Sequence, residues 1–408
     1  MTTTSSTKEQ PSPKTTLVVA LLIAVFAAAI IDVVIPITIV DIAKTFSVLP
    51  GTVSQLNSLI AIASVVTALL LAAFGSRFRH KSVVMLGILF IAFYSMGLSL
   101  APTFPIAQLI VPLNGIGSVM IVVTAQTFIG NSYPINKKAK AIGWIAAAGT
   151  LANAVGAPIT GFMTVIGDWR SVFLWFMLPT AIFSLIFVFL AFPRNLPQPQ
   201  LIIKKEPFMK GFKQVLTNKS AVACLIGAFF GNAFVFGAAV FEVTFLRQVF
   251  FVPAGLAALI GTLVGTTLVT VGAIIGGHTV NRVGRKRLTV VAIFLAGFLT
   301  LLAYFMQYII IFLALRWSAS ILIGLVAAAA SNLALEQVPQ FRGTMMSLAS
   351  AFSGVGTAIG IAVAGTVLNF YTNAVTGFQA LGLTIGALAF AGALVNLFFA
   401  KDPLKPRS

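Results

Sequence analysis

The chain has 408 residues, of which 59% are hydrophobic and only 8% charged, with a formal net charge of +18. A soluble domain carries about 25% charged residues, so this composition excludes a water-soluble enzyme, a disordered chain and a collagen-like repeat. One cysteine, Cys224, excludes a disulfide framework and a thiolate metal site, and two histidines, His80 and His278, argue against a histidine metal cluster.

The uncharged stretches mark the elements in chain order, since a membrane crossing takes roughly 20 apolar residues. Residues 15–40 carry one charge, Asp32, and predict the first span. Residues 45–76 predict the second. Residues 82–136 are long enough for two, with a turn at Ala101-Pro102-Thr103-Phe104-Pro105. Residues 141–167 and 171–193 predict spans five and six. Residues 220–246, 248–281, 288–315 and 310–338 predict spans seven to ten, the first and last of these with embedded charges. Residues 343–400 predict two more, turning between Asn369 and Gly377. The expected fold class is therefore an all-α integral membrane protein with twelve transmembrane helices. The first 14 residues are polar and the apolar run after them is too long for a signal-peptide core, so the first span is expected to be retained.

Twelve spans put both termini on one side. Of the 26 Lys and Arg residues, 22 fall on that side, while Lys44, Arg170 and Arg247 fall on the other and Arg316 lies within a span. Short cationic clusters of this kind are orientation signals rather than a nucleic-acid surface, and they predict cytoplasmic termini in the cell membrane. The longest polar stretch cuts the chain in two. The expected organisation is a cytoplasmic tail (1–14), a six-helix half (15–193), a cytoplasmic linker (194–219), a second six-helix half (220–400) and a tail (401–408). In the linker, Phe208, Phe212 and Val215 share a helical face while Lys210 and Lys213 lie elsewhere, which suits either a short helix on an anionic leaflet or a solvated basic linker.

The halves repeat. Arg77 and Pro134 recur as Arg282 and Pro339 at an offset of 205, and Gly156 and Gly161 recur as Gly360 and Gly365 at 204. Two pseudo-symmetric six-helix halves related about the membrane normal place a substrate site between them near the midplane.

The loop between spans eight and nine reads Gly277-His278-Thr279-Val280-Asn281-Arg282-Val283-Gly284-Arg285-Lys286. It resembles the G-x-x-x-D-R-x-G-R-K signature of the major facilitator superfamily, with Asn281 in the Asp position. The copy in the first half, Gly75-Ser76-Arg77-Phe78-Arg79-His80-Lys81, is degenerate. The resemblance implies a cytoplasmic gate that includes Arg77, Gly277, Asn281, Arg282, Gly284, Arg285 and Lys286, weakened by the loss of both Asp residues. Glu336, three residues before Pro339, is expected to accept Arg282 or Arg342, or else to be a solvated end charge. Span five carries Gly156-Ala157-Pro158-Ile159-Thr160-Gly161, similar to the glycine- and proline-rich motif of the drug:proton antiporter branch. Ordinary close helix packing at Gly156, Pro158, Gly161, Gly360 and Gly365 explains those residues equally well. Trp169-Arg170-x-x-Phe173 matches the opening of span six in the same branch.

Asp32 followed by Pro36 resembles the acidic residue and proline of span one in those antiporters. An ionised carboxylate in a span costs roughly 2.5–3.5 kcal/mol on insertion scales, so it is a functional candidate by default, the alternative being a structural Asp bonded to a neighbouring helix. Glu242 is either a second proton-coupling site or an outer-rim residue paired with a cation. The Arg usual in span four is absent, because that place reads Pro112-Leu113-Asn114-Gly115. Arg316, at an offset of 204 from Pro112, is a candidate substitute or a rim residue snorkelling to the interface. In the family, spans one, four, seven and ten line the cavity, which implies a site built from Asp32, Asn114, Gln126, Asn232, Phe236, Glu242, Arg316, Ser320 and Asn332. Such a cavity suits a lipophilic cation better than a sugar. No G-x-x-x-x-G-K-[ST] occurs, so energy is expected from an ion gradient. The expected activity is multidrug-type efflux by proton antiport, not enzymatic, with no cofactor and no metal. Its expected partners are a small-molecule substrate, protons and membrane lipids, for a chain acting as a monomer. A metabolite or organic-anion facilitator or importer, or a lipid flippase, stands as the alternative.

Overall fold

In a computed structural model, residues 15–74, 78–132, 135–192 and 208–402 are described. Among them all regular structure is helical, and twelve helices are long and apolar enough to cross a membrane. Spans one to six are Thr15–Phe46, Pro50–Leu71, His80–Leu100, Phe104–Ile129, Gly143–Ile166 and Trp169–Ala191. Spans seven to twelve are Lys219–Gln248, Ala254–Val280, Arg285–Ala303, Ile309–Leu335, Pro339–Asn369 and Ala374–Phe399. Both expected turns within the long apolar runs fall where the prolines and Asn369 place them. The end of the bundle where span one begins and span twelve finishes is called terminal below, and the other end distal.

Span one is not one straight rod. It is helical over Thr15–Ala29 and Ile31–Phe46, with a turn at Ile30 and Pro36 inside the second piece. Proline has no N–H to bond the carbonyl four residues back. That carbonyl belongs to Asp32, so the helix lacks one backbone hydrogen bond beside the acidic residue at the middle of the span.

The two halves meet through equivalent pairs. Span two packs on span eleven, and its repeat counterpart, span eight, packs on span five, while spans one and seven touch across the axis. Lipid is as apolar as a helix face, so helices associate through close backbone approach rather than hydrophobic burial. At the distal end a Cβ on Gly51 would run into the Gly365 carbonyl, and one on Gly161 would meet the Gly255 Cα. Gly360 lies against the Ala233 backbone, and Gly156 faces Val33 of span one. Pro158 sits within the continuous helix Ile135–Ile166.

The described part of the linker forms the helix Phe208–Thr217. Val215 is buried, Gly211 packs against Phe341, and Gln214 bonds Gln340 at 3.3 Å. Of the expected face, Val215 is buried and the helix contacts Gln340 and Phe341 at the start of span eleven, while the Phe208 side chain lies outside the described residues.

Candidate functional site

A cavity of about 770 Å³ runs between the halves from mid-span toward the terminal end. Its walls come from spans one (Asp32, Pro36), two (Asn57 to Leu71), three (His80, Val83), four (Val119 to Thr127), seven (Phe236, Val240) and eleven (Ser347 to Ile361). The volume is in the range that accommodates drug-sized molecules. Asp32 is exposed to this space while Ile31, Val33 and Val34 beside it are buried. Among the described residues its carboxylate has no hydrogen-bond or ion-pair partner. His80, near the terminal mouth, is the other titratable group on the wall. The remaining polar groups are amides and hydroxyls: Asn57, Ser64, Thr124, Gln126, Thr127, Ser347, Ser350 and Thr357. One acid thus faces a described lining that, His80 aside, is apolar or carries only amides and hydroxyls.

The cavity closes at the distal end. Arg247 reaches from span seven to span one, its guanidinium bonding both Asp41 oxygens at 2.5 and 2.8 Å and the Ile37 carbonyl at 3.0 Å. Asn369 of span eleven bonds Thr52 of span two at 3.0 Å. Trp169 donates to Thr45 at 2.9 Å, fixing the distal end of span one to span six.

Several expected cavity residues lie elsewhere. Gln126 and Phe236 line the wall with Asp32, but Asn114, Asn232, Glu242, Arg316, Ser320 and Asn332 do not. Each of these six has a partner that accounts for its position. Asn114 accepts from Ser118 at 3.0 Å, and Ser118 reaches the Ala28 carbonyl of span one at 3.3 Å. Asn232 bridges to Ser353 of span eleven at 3.0 Å. Ser320 and Asn332 bond carbonyls of their own helix, those of Arg316 and Ala328. A polar group in an apolar span satisfies itself on backbone or on the adjoining helix unless water reaches it. Span ten, expected on the wall, contributes no residue to this lining and packs mainly on spans eight and nine.

Glu242 and Arg316 meet each other inside the second half. Arg316 donates to Glu242 at 2.6 Å and to Thr300 of span nine at 2.9 Å, and both charged side chains are buried. Phe245, Tyr304, Phe312 and Phe378 pack together beyond them. Arg316 is therefore no rim residue. The rim reading failed because distance from the span end says nothing about which side faces lipid.

At the terminal end the signature loop folds tightly. Gly284 adopts φ 93°, a left-handed conformation that disfavours a side chain. Arg285 opens span nine, and the backbone N–H groups of Arg285 and Lys286 donate to Asp402 at 2.8 and 3.3 Å. A carboxylate from beyond span twelve thus caps the positive end of span nine. Gly277 has open space beside it, and Arg282 is exposed. Glu336 takes Arg342, with both oxygens at 3.1 Å from the guanidinium. Arg77 and the Asn281 side chain lie outside the described residues.

The Major Facilitator Superfamily model matches residues 18–269 and 249–408. The chain belongs to the Major Facilitator Superfamily. It is a membrane transporter and not an enzyme. Superfamily relatives include the Uncharacterized MFS-type transporter YwfA of Bacillus subtilis, 22% identical over 387 residues that cover 94% of this chain and 92% of that protein. Multidrug resistance protein 2 of Bacillus subtilis is 22% identical over 400 residues, covering 93% and 96%. Among solved structures, a bacterial homolog of the human lysosomal transporter Spinster in an inward-facing, unoccupied conformation superposes with a TM-score of 0.79 at 18% identity, covering 95% of this chain and 98% of that one. A D-xylose-proton symporter gives 0.79 at 13%, also covering 95% and 98%. These likenesses establish the superfamily fold.

The superfamily cavity contains residues that the reading by span number passed over. Asn57, Ala61, Ser64 and Ala68 recur every three or four positions in span two, as do Ser347, Ser350, Gly354, Thr357 and Ile361 in span eleven. Such stripes of small and polar residues at helical spacing were the available signal.

Proposed function

We propose that this transporter exports small lipophilic or cationic compounds in exchange for protons, with Asp32 as the carboxylate that proton and substrate share. The observation that carries this reading is the unpartnered Asp32 carboxylate open to a largely apolar, drug-sized cavity. Likeness to Multidrug resistance protein 2 along nearly the whole chain supports it. With Arg316 held inside the second half, the described cavity lining holds no arginine for an organic anion, which weighs against the importer reading. The termini are assigned to the cytoplasm, so that the cavity is open inward. The cations Arg282, Arg285 and Lys286 are assigned to the terminal gate in the alternate state.

The test uses the purified protein in proteoliposomes with a pH-sensitive dye inside. Lipophilic cations are expected to move protons on addition, and sugars and organic anions are not. Sugar or anion flux without proton movement would replace this reading with a facilitator.

Orientation has its own check. In a Cys224→Ala background, a cysteine replacing Lys286 is expected to label only from the cytoplasm and one replacing Lys44 only from outside, because 22 cations lie on one side and three on the other. Outside labelling at position 286 would invert the topology.

A further inference from the structure

The chain reads Arg79-His80-Lys81 at the start of span three, where the second half, at the offset of 205, reads Gly284-Arg285-Lys286. The three side chains of the first copy point apart. Arg79 is exposed ahead of the helix. Lys81 turns toward span six, where its ammonium donates to the Phe189 and Phe192 carbonyls at 3.0 and 3.2 Å and lies over the Phe189 ring. Its charge thus meets the negative end of that helix. His80 alone turns into the cavity. Its ring stands perpendicular to Phe128 of span four, with centroids 6.2 Å apart, and Phe128 rests in turn on Phe192. Aromatic contacts therefore hold the imidazole at the mouth. Among the described residues neither ring nitrogen has a hydrogen-bond partner.

The counterpart Arg285 is answered by the carboxylate of Asp402 at 3.9 Å. His80 has no such answer. Span three packs on spans one, four and six, whose described residues at the terminal end carry no charged side chain, and span two has none over residues 50–74. Asp32 faces the same space from deeper in span one, and the second half brings Arg342, already paired with Glu336. The other charges of this end of the first half are Lys14, Arg77, Lys137, Lys138, Lys140 and Arg194, all cations, with side chains outside the described residues. An ordinary imidazole changes charge between pH 5 and 8, whereas Lys and Arg do not.

We propose that His80 is a specificity-determining residue at the cavity mouth: neutral, it admits cationic substrates to Asp32, and protonated, it repels them while neutral compounds pass. The proposal rests on the reading of Asp32 as the partner of the cation. A charge at the mouth of an apolar-walled cleft acts strongly because the walls focus its field. A permanent cation here, such as Arg285 in the second half, would oppose entry at every pH. As pH falls, protonation of Asp32 weakens the hold on a cation and protonation of His80 slows its arrival.

The test reads the charge of the mouth with thiol reagents and needs no substrate. In a Cys224→Ala, Asp32→Asn background, a cysteine replaces Gln126, exposed on the wall two residues from Phe128. Modification rates by a cationic and an anionic methanethiosulfonate are compared at neutral pH and in mild acid, and their ratio cancels the ionisation of the thiol. The cation-to-anion ratio is expected to fall about fourfold in acid, the effect of one charge at roughly 10 Å on probes of opposite sign. His80→Gln should hold the ratio at its neutral-pH value, and His80→Arg should hold it low throughout. A ratio that ignores pH, or that falls equally in His80→Gln, would overturn the proposal. Should His80→Arg not fold, His80→Gln alone decides.

A second measurement uses protein with Asp32 and Gln126 intact in proteoliposomes. His80→Arg, or His80→Gln in mild acid, is expected to change export of a lipophilic cation and leave that of a neutral compound as it was, the first slowing it and the second speeding it. Equal effects on both compounds would make His80 a structural residue and end the proposal. Absence of cation export by the wild type would instead remove the reading of the cavity on which the proposal stands. Cation export that is indifferent to His80 would remove only the role assigned here.

Discussion

Asp32→Asn is expected to abolish uphill export while leaving the protein folded and inserted. The amide keeps the size and the hydrogen-bonding capacity of the side chain but carries no proton. In the proposed exchange, proton and substrate compete for one carboxylate. Binding of a cationic substrate to the wild type should therefore weaken as pH falls. The variant should bind the cation weakly and without pH dependence, while a neutral compound still binds and exchanges downhill. The structural basis is the absence of any described partner for Asp32 and its exposure to a cavity of about 770 Å³. A carboxylate fixed by a neighbouring helix would lose stability on substitution and keep its coupling. Proton-driven efflux at wild-type rates in well-folded Asp32→Asn protein would remove Asp32 from the mechanism. Binding by calorimetry across a pH series, paired with efflux in the same proteoliposomes, makes both readings available.

The second large effect concerns stability. Replacing either Glu242 or Arg316 alone leaves a buried charge without its partner, which costs about 3–5 kcal/mol. Both side chains are nearly inaccessible, at 8% and 3% exposure, and their 2.6 Å contact sits within the second half. Glu242→Gln and Arg316→Met should each lower the unfolding temperature in detergent sharply. Replacing both residues by Met removes both charges together and should recover most of the loss, because desolvation of the pair offsets much of its attraction. The double variant also separates two roles for Glu242. If the pair is structural, the double variant transports with coupling intact. Loss of proton coupling with stability recovered would make Glu242 the second proton site that its place in span seven first suggested. Single variants as stable as wild type would contradict the buried-pair geometry.

The number, length and order of the spans follow from local chemistry. An uncharged run either is or is not long enough to cross the hydrocarbon, and no neighbour alters that. The repeat landmarks, the turn at Pro102 to Pro105 and the prominence of Asp32 are equally local. The direction in which each helix faces is different in kind. In a soluble helix a polar stripe marks water, but here a stripe such as Ser347, Ser350, Gly354 and Thr357 in span eleven marks either a cavity wall or a close helix contact, and the sequence does not separate the two. Only packing decided that Ser350 and Thr357 line the cavity while Ser320 and Asn332 bond their own backbone. The charge pairs are likewise tertiary. Glu242 and Arg316 are 74 positions apart, and Asp41 and Arg247 are 206 apart. Each residue was visible as an unusual charge in or beside a span. Which cation meets which carboxylate, and whether the pair lies inside one half or across two, depends on how the helices are brought together, since a buried charge settles on whichever opposite charge the packing puts within reach.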